Sequence, residues 1–172
     1  LFLSVTTAQT SETPSILPKP AKIEMGNSNS MFQLDRDTKI VCKFNGADVK
    51  YAIQELDRLT AEILGKKLKK TSKIKEYNHI IIRQDGSIKA EGYVLDINPE
   101  NIIIKASTAA GVFYAVQTLK QIIPVQAYET PLDLERIQLP TMKVTDTPHF
   151  PYRGFMLDCS RHFWDVKTVK EV

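Results

Sequence analysis

Gly92-Tyr93-Val94-Leu95-Asp96-Ile97-Asn98-Pro99-Glu100-Asn101-Ile102-Ile103-Ile104-Lys105-Ala106 decides the class of fold. Two apolar runs rich in β-branched residues flank the short polar loop Asn98–Asn101, the pattern of an antiparallel hairpin. A hairpin here argues against a purely parallel sheet. Directly after it, Ser107-Thr108 can cap a helix through a side-chain oxygen. Val112, Ala115, Val116, Leu119, Ile122 and Ile123 then recur at helical spacing, and Pro124 ends the run. Gly111 costs about 1 kcal/mol relative to alanine inside a helix. Its presence points to close packing of the helix on the sheet.

Upstream, Asn78–Arg83 reads as a buried strand and Asp85-Gly86 as a turn. Thr38–Phe44 is β-branched and reads as a strand broken by Asn45-Gly46. From Asp48 to Leu64, Ala52, Leu56, Leu59 and Ile63 mark a helix, with Gly65 placed as its C-terminal cap. Lys66–Lys75 carries six lysines. A solvated loop explains it better than a nucleic-acid patch, because no aromatic residues interleave for stacking. Ile16-Leu17-Pro18-Lys19-Pro20 is an extended entry segment. Downstream, 126–135 reads as a loop, and Arg136–Val144 as a strand at an edge or bent by Pro140. Asp146–Phe150 reads as a linker. The order is strand, helix, three strands, helix, strand. It predicts an α+β fold, a mixed or antiparallel sheet with two helices on one face.

The totals bound the function. The chain has 172 residues, 42% of them hydrophobic and 25% charged, the composition of a globular domain. A net charge of +3 is too small to argue for nucleic acid. Cys42 and Cys159 lie far apart, outside any CxxC or Cys/His cluster, so a zinc site is not indicated. Nothing in their spacing asks for a disulfide. Leu1–Thr10 reads as the tail of a secretory signal peptide, with a frayed terminus as the alternative. No run reaches the length of a membrane span.

Phosphate-loop, HExxH, GxSxG and GxGxxG patterns are absent. His79, His149 and His162 have no metal-ligand spacing, and His79 reads as packed or hydrogen-bonded at a strand edge. Glu55, Asp57 and Glu62 read as a solvated helix face. Chemistry is left to Arg153-Gly154-Phe155-Met156-Leu157-Asp158-Cys159-Ser160-Arg161-His162-Phe163. Arg153–Cys159 reads as a strand covered on both sides, delivering Asp158, Ser160, Arg161 and His162 at its end. Asp165–Val172 reads as the start of a helix. Polar groups between a strand and a helix are how a (β/α) barrel builds one corner of its site. The guanidinium of Arg161 suits vicinal hydroxyls or a carboxylate. On pattern alone, an ordinary surface arginine explains it better.

The same eleven residues resemble the first barrel strand of family 20 glycoside hydrolases, the β-N-acetylhexosaminidases. Glu91–Ile97 followed by Ile102–Leu119 resembles that family's N-terminal α/β domain. The resemblance implies three regions: a signal-peptide remnant and disordered tail (1–15), the N-terminal α/β domain (16–145), and a linker with the truncated start of a (β/α)8 barrel (146–172). Together with the signal-peptide reading of Leu1–Thr10, it predicts an exported enzyme, periplasmic, outer-surface or secreted. That enzyme removes terminal β-linked N-acetylglucosamine or N-acetylgalactosamine with retention, the acetamido group of the substrate serving as nucleophile. By position, Arg161 matches the arginine that binds sugar hydroxyls, and Asp158 an acid that supports it. Arg153 anchors the strand, and Cys159 has no role. The family's catalytic Asp-Glu pair has no counterpart here, so this segment alone should be inactive, its N-terminal domain a scaffold contacting the barrel. No cofactor or metal is implied, and the partner is a carbohydrate. A stand-alone carbohydrate-binding or interaction module is the alternative.

Overall fold

The computed structural model describes residues 14–74, 76–129, 136–154, 156–158, 160 and 163–171. Its centre is a seven-stranded mixed sheet in the order β1-β9-β6-β7-β5-β3-β4. The strands are β1 (Lys22–Met25), β3 (Lys39–Lys43), β4 (Lys69–Lys70), β5 (His79–Gln84), β6 (Tyr93–Ile97), β7 (Asn101–Ala106) and β9 (Met142–Asp146). β4, β3, β5 and β7 run parallel, whereas β6, β9 and β1 are joined by antiparallel pairings. The β6–β7 hairpin is present, with Leu95 opposite Ile104 and Ile97 opposite Ile102. Asn98 closes it by accepting the amides of Glu100 and Asn101.

Register puts Ile40, Ile80, Ile82, Ile102, Ile104, Leu95 and Val144 on one face, all within one buried cluster. The helices α1 (Val49–Leu64) and α2 (Ala109–Ile122) cover that face and pack on each other. α1 buries Ala52, Leu56, Leu59 and Ile63, the stripe read from the sequence. Gly65 caps it at φ 67°, a left-handed geometry that glycine adopts without Cβ strain. Arg36 donates to the Leu64 carbonyl at 2.9 Å, satisfying one orphan acceptor of the last turn. In α2, Thr108 accepts the Gly111 amide, and Ile122 is the last helical residue before Pro124. A Cβ at Gly111 would collide with the Gly92 carbonyl of the strand entry beneath, so this glycine permits the helix to lie close on the sheet.

Several expectations are corrected. Arg136–Val144 is two strands, not one. β8 (Arg136–Pro140) pairs antiparallel with β2 (Met31–Asp35) in a separate two-stranded sheet, while β9 joins the main sheet. Pro140 cannot donate to a ladder, and the chain changes sheets at Thr141. The small sheet alternates cleanly, burying Phe32, Leu34, Ile137 and Leu139 in the same core. Within the stretch read as a loop over 126–135, Gln126–Glu129 forms a short helix, α3; residues 130–135 lie outside those described. The lysine run contains a two-residue edge strand, β4, and buries Leu68. Short, lysine-bearing strands protect a sheet edge from further pairing.

The small sheet is tied to the large one by a polar knot. Asp35 Oδ1 accepts from the Asp37 and Thr38 amides, the Thr38 hydroxyl and the Asn78 side chain. Burial opposes the charge on Asp35, yet these bonds hold its carboxyl below the usual range. His79 is buried by packing; its ring nitrogens have no hydrogen-bond partner among the described residues.

Candidate functional site

The segment after β9 is where the sequence places its chemistry. The strand read over Arg153–Cys159 is not formed among the described residues: 152–154 and 156–158 have no ladder partner, and Met156 is 90% exposed. A strand needs a neighbouring backbone to satisfy its amides and carbonyls, and among the described residues none pairs with this segment. Phe155, Cys159, Arg161 and His162 lie outside the described residues. The helix expected from Asp165 is present as α4 (Val166–Glu171). Asp165 accepts the Thr168 amide at 2.7 Å, and that bond holds its carboxyl below the ordinary range.

Asp158 is exposed and accepts the Ser160 amide at 2.8 Å. Hydrogen bonds from the Ser160 backbone and side chain lower its pKa, so it carries a full charge at neutral pH. The turn it closes is local, and it brings the charge to no other acid or base among the described residues. No group of three or more His, Cys, Asp or Glu side chains that could hold a metal occurs among the described residues.

Arg153 has the richest set of contacts in the segment. It donates to both Glu91 carboxylate oxygens at 3.0 and 3.3 Å, to the Tyr114 hydroxyl at 2.9 Å and to the Phe150 carbonyl. The hydrogen bond from Arg153 holds the Glu91 carboxyl below its ordinary range, and Glu91 in turn raises the guanidinium. Glu91 sits at φ 64° just before Gly92, and Tyr114 projects from α2, half-buried against the edge of the core. Arg153 therefore anchors the C-terminal segment to α2 and to the turn before β6. Nothing in the sequence pointed to Glu91 or Tyr114 as its partners, because the contact spans 62 residues and depends on tertiary folding.

Beneath this anchor lies a largely apolar cleft of about 440 Å³, lined by Ile16, Leu17, Tyr93, Tyr114, Gln121 and Phe150 among others. The extended entry segment forms one wall. Gln121 fixes it, accepting the Leu17 amide at 2.8 Å and donating to the Leu17 carbonyl at 2.9 Å. Tyr93, whose hydroxyl bonds Thr118 at 2.6 Å, is pushed up to about 12 by burial, so it stays neutral. The helix face read as solvated is also more structured than expected. Glu55 is held by Arg58 at 2.7 Å and Lys120 at 2.9 Å, and its pKa falls to about 2, with the Arg58 bond the leading cause. Asp57 pairs with Lys70.

Residues 13–147 match the family model described as glycosyl hydrolase family 20, domain 2. The chain belongs to glycosyl hydrolase family 20. Residues 150–172 match that family's catalytic domain. A β-hexosaminidase of Porphyromonas gingivalis is 30% identical over 91% of this chain. Among solved structures, the Streptomyces plicatus N-acetyl-β-hexosaminidase in complex with Thio-NAglucal superposes with a TM-score of 0.77 at 30% identity over 92% of the chain. The Vibrio harveyi family 20 exo-β-N-acetylglucosaminidase in complex with N-acetylglucosamine gives 0.74 at 27% over 91%. The chain spans 20% of the Porphyromonas protein, 32% of the Streptomyces chain and 22% of the Vibrio chain. No helix among the described residues is long and apolar enough to cross a membrane.

Proposed function

We propose that this chain is the N-terminal part of an exported β-N-acetylhexosaminidase that removes terminal β-linked N-acetylglucosamine or N-acetylgalactosamine by retaining, substrate-assisted hydrolysis. Residues 16–145 form the scaffold domain, 146–172 the linker and the start of the catalytic barrel. The observation that carries the reading is the adjacent pair of family matches, domain 2 over 13–147 and the catalytic domain from 150. Relatives named β-hexosaminidase and N,N'-diacetylchitobiase, and a similar chain solved with N-acetylglucosamine, support the substrate class.

In this reading Arg161 grips hydroxyls of the terminal sugar and Asp158 supports the guanidinium. Asp158 is suited to that role: ionised, exposed and three residues from Arg161. Arg153 fixes the start of the same segment through Glu91 and Tyr114. The segment supplies no general acid for the leaving group, so the chain alone should not turn over substrate.

The test is hydrolysis of 4-nitrophenyl β-N-acetylglucosaminide. The 172-residue chain should be inactive. A longer form carrying the rest of a catalytic barrel should be active, and Arg161→Ala should depress its kcat/KM steeply. Turnover by the 172-residue chain, or a longer form inactive on β-N-acetylhexosaminides, would refute the proposal.

A further inference from the structure

Lys43, Arg83 and Lys105 stand directly opposite one another on β3, β5 and β7. Their chain neighbours Cys42, Ile82 and Ile104 face the core under the helices, so strand alternation puts the three cations on the opposite, helix-free face. Adjacent strands lie about 4.8 Å apart. The row is therefore a line of positive charges across the three central parallel strands. Lys43 and Arg83 are exposed and Lys105 half-buried.

Like charges directly opposite on neighbouring strands destabilise a sheet. Among the described residues no carboxylate forms an ion pair with any of the three. Asp85 feels the charge of Lys105, but its carboxylate is engaged by the Ser87 amide and hydroxyl. The row continues through neutral Val94 and Thr145 to Lys22. The adjoining row is Val41, Ile81 and Ile103, and its two acids, Asp96 and Glu24, both stand opposite Lys143 rather than beside the three cations. Val41 and Ile81 are buried, so the adjoining row is accounted for by folding; the line of like charges is not, and a repeating anion would stabilise it.

We propose that this row binds a sulfated glycan chain laid across the strands. Charge complementarity specifies a partner with successive anionic groups. No aromatic side chain occupies these register positions, so base stacking has no platform and nucleic acid is disfavoured. The choice of a glycan among polyanions rests on the hexosaminidase reading; the charge row does not.

Calorimetry of the 172-residue chain with a heparin hexasaccharide, in low salt and at about 0.15 M, tests this. The hexasaccharide should bind, more weakly at the higher salt, and neutral chitohexaose should not. The triple variant K43Q/R83Q/K105Q should bind about tenfold less tightly, with an unchanged or raised Tm because repulsion is removed. Should that variant fail to fold, amide shifts of residues 43, 83 and 105 on titrating the unaltered chain decide the point. Absence of heparin binding in low salt, undiminished binding by the folded triple variant, or unmoved amides would overturn the proposal. So would equal affinity for a single-stranded oligonucleotide or an anionic vesicle. Each outcome is independent of whether a longer form hydrolyses β-N-acetylglucosaminides.

Discussion

Residues 79–123 and residues 150–171 both carry many large apolar side chains, yet the two regions treat them in opposite ways. In the first, the isoleucines of β5 and β7 and the stripe of α2 close on one another until Ile80, Ile82, Ile102, Ile104 and Leu119 are wholly buried. In the second, Phe150, Tyr152, Met156 and Phe163 stand in the open. Composition alone does not bury a residue. The first region contains its own partner surfaces, a sheet face and the helix α2, and α1 covers the rest of that face. Among its described residues the second contains one short helix, and Arg153 ties it to Glu91 and Tyr114 of the body. Exposed apolar surface of this kind marks a place where another surface fits.

The contrast is sharpest for truncations of apolar side chains. Ile82→Ala or Leu56→Ala should cost about 2–5 kcal/mol in urea unfolding. Met156→Ala should change stability by no more than about 0.5 kcal/mol. A large effect at Met156 would mean that the segment packs on the body in solution. Gly111→Ala comes next: the added methyl meets the Gly92 carbonyl, and overpacking against backbone should cost about 1–3 kcal/mol.

A smaller effect concerns the anchor. Glu91→Gln weakens the Arg153 contact, so limited proteolysis after Arg153 should quicken while the Tm of the body stays constant. An unchanged cleavage rate would remove the anchor from the account. The smallest effect is acid sensitivity. Glu55 titrates near 2 in the folded chain against an ordinary 4.5. A depressed carboxyl stabilises the fold above its unfolded pKa and loses that contribution as pH falls through the folded one. Between pH 4.5 and 2 the unaltered chain should therefore lose more stability than Glu55→Gln. Parallel acid-unfolding curves would count against the Arg58 and Lys120 contacts.

Much of the body was legible because periodicity and punctuation agree there. Thr108, the α2 stripe and Pro124 mark one helix; Gly65 ends the other; Asn98–Asn101 marks the hairpin. β1 and β2 escaped because each is short. Lys22–Met25 has no buried residue, and Met31–Asp35 acquires its alternation only by pairing with β8. The single strand read over Arg136–Val144 failed because a switch between sheets looks, in sequence, like a strand with a proline in it. The strand expected over Arg153–Cys159 is not formed among the described residues: its apolar run is a strand signal, but pairing is a property of neighbours. The site was legible only as a motif. Asp158 and Arg153 could be named from it, while Glu91 and Tyr114, which hold Arg153, lie far away in sequence and carry no local signature.

Native-state hydrogen exchange of the whole chain, read by mass spectrometry peptide by peptide, tests the central claim most directly. That claim is one packed sheet-and-helix body joined to a segment whose described apolar side chains stand exposed. The account requires the slowest exchange in β5, β7, α1 and α2, opening only with global unfolding, and near-immediate exchange over 150–171. Protection of 150–171 equal to that of the central strands would contradict it.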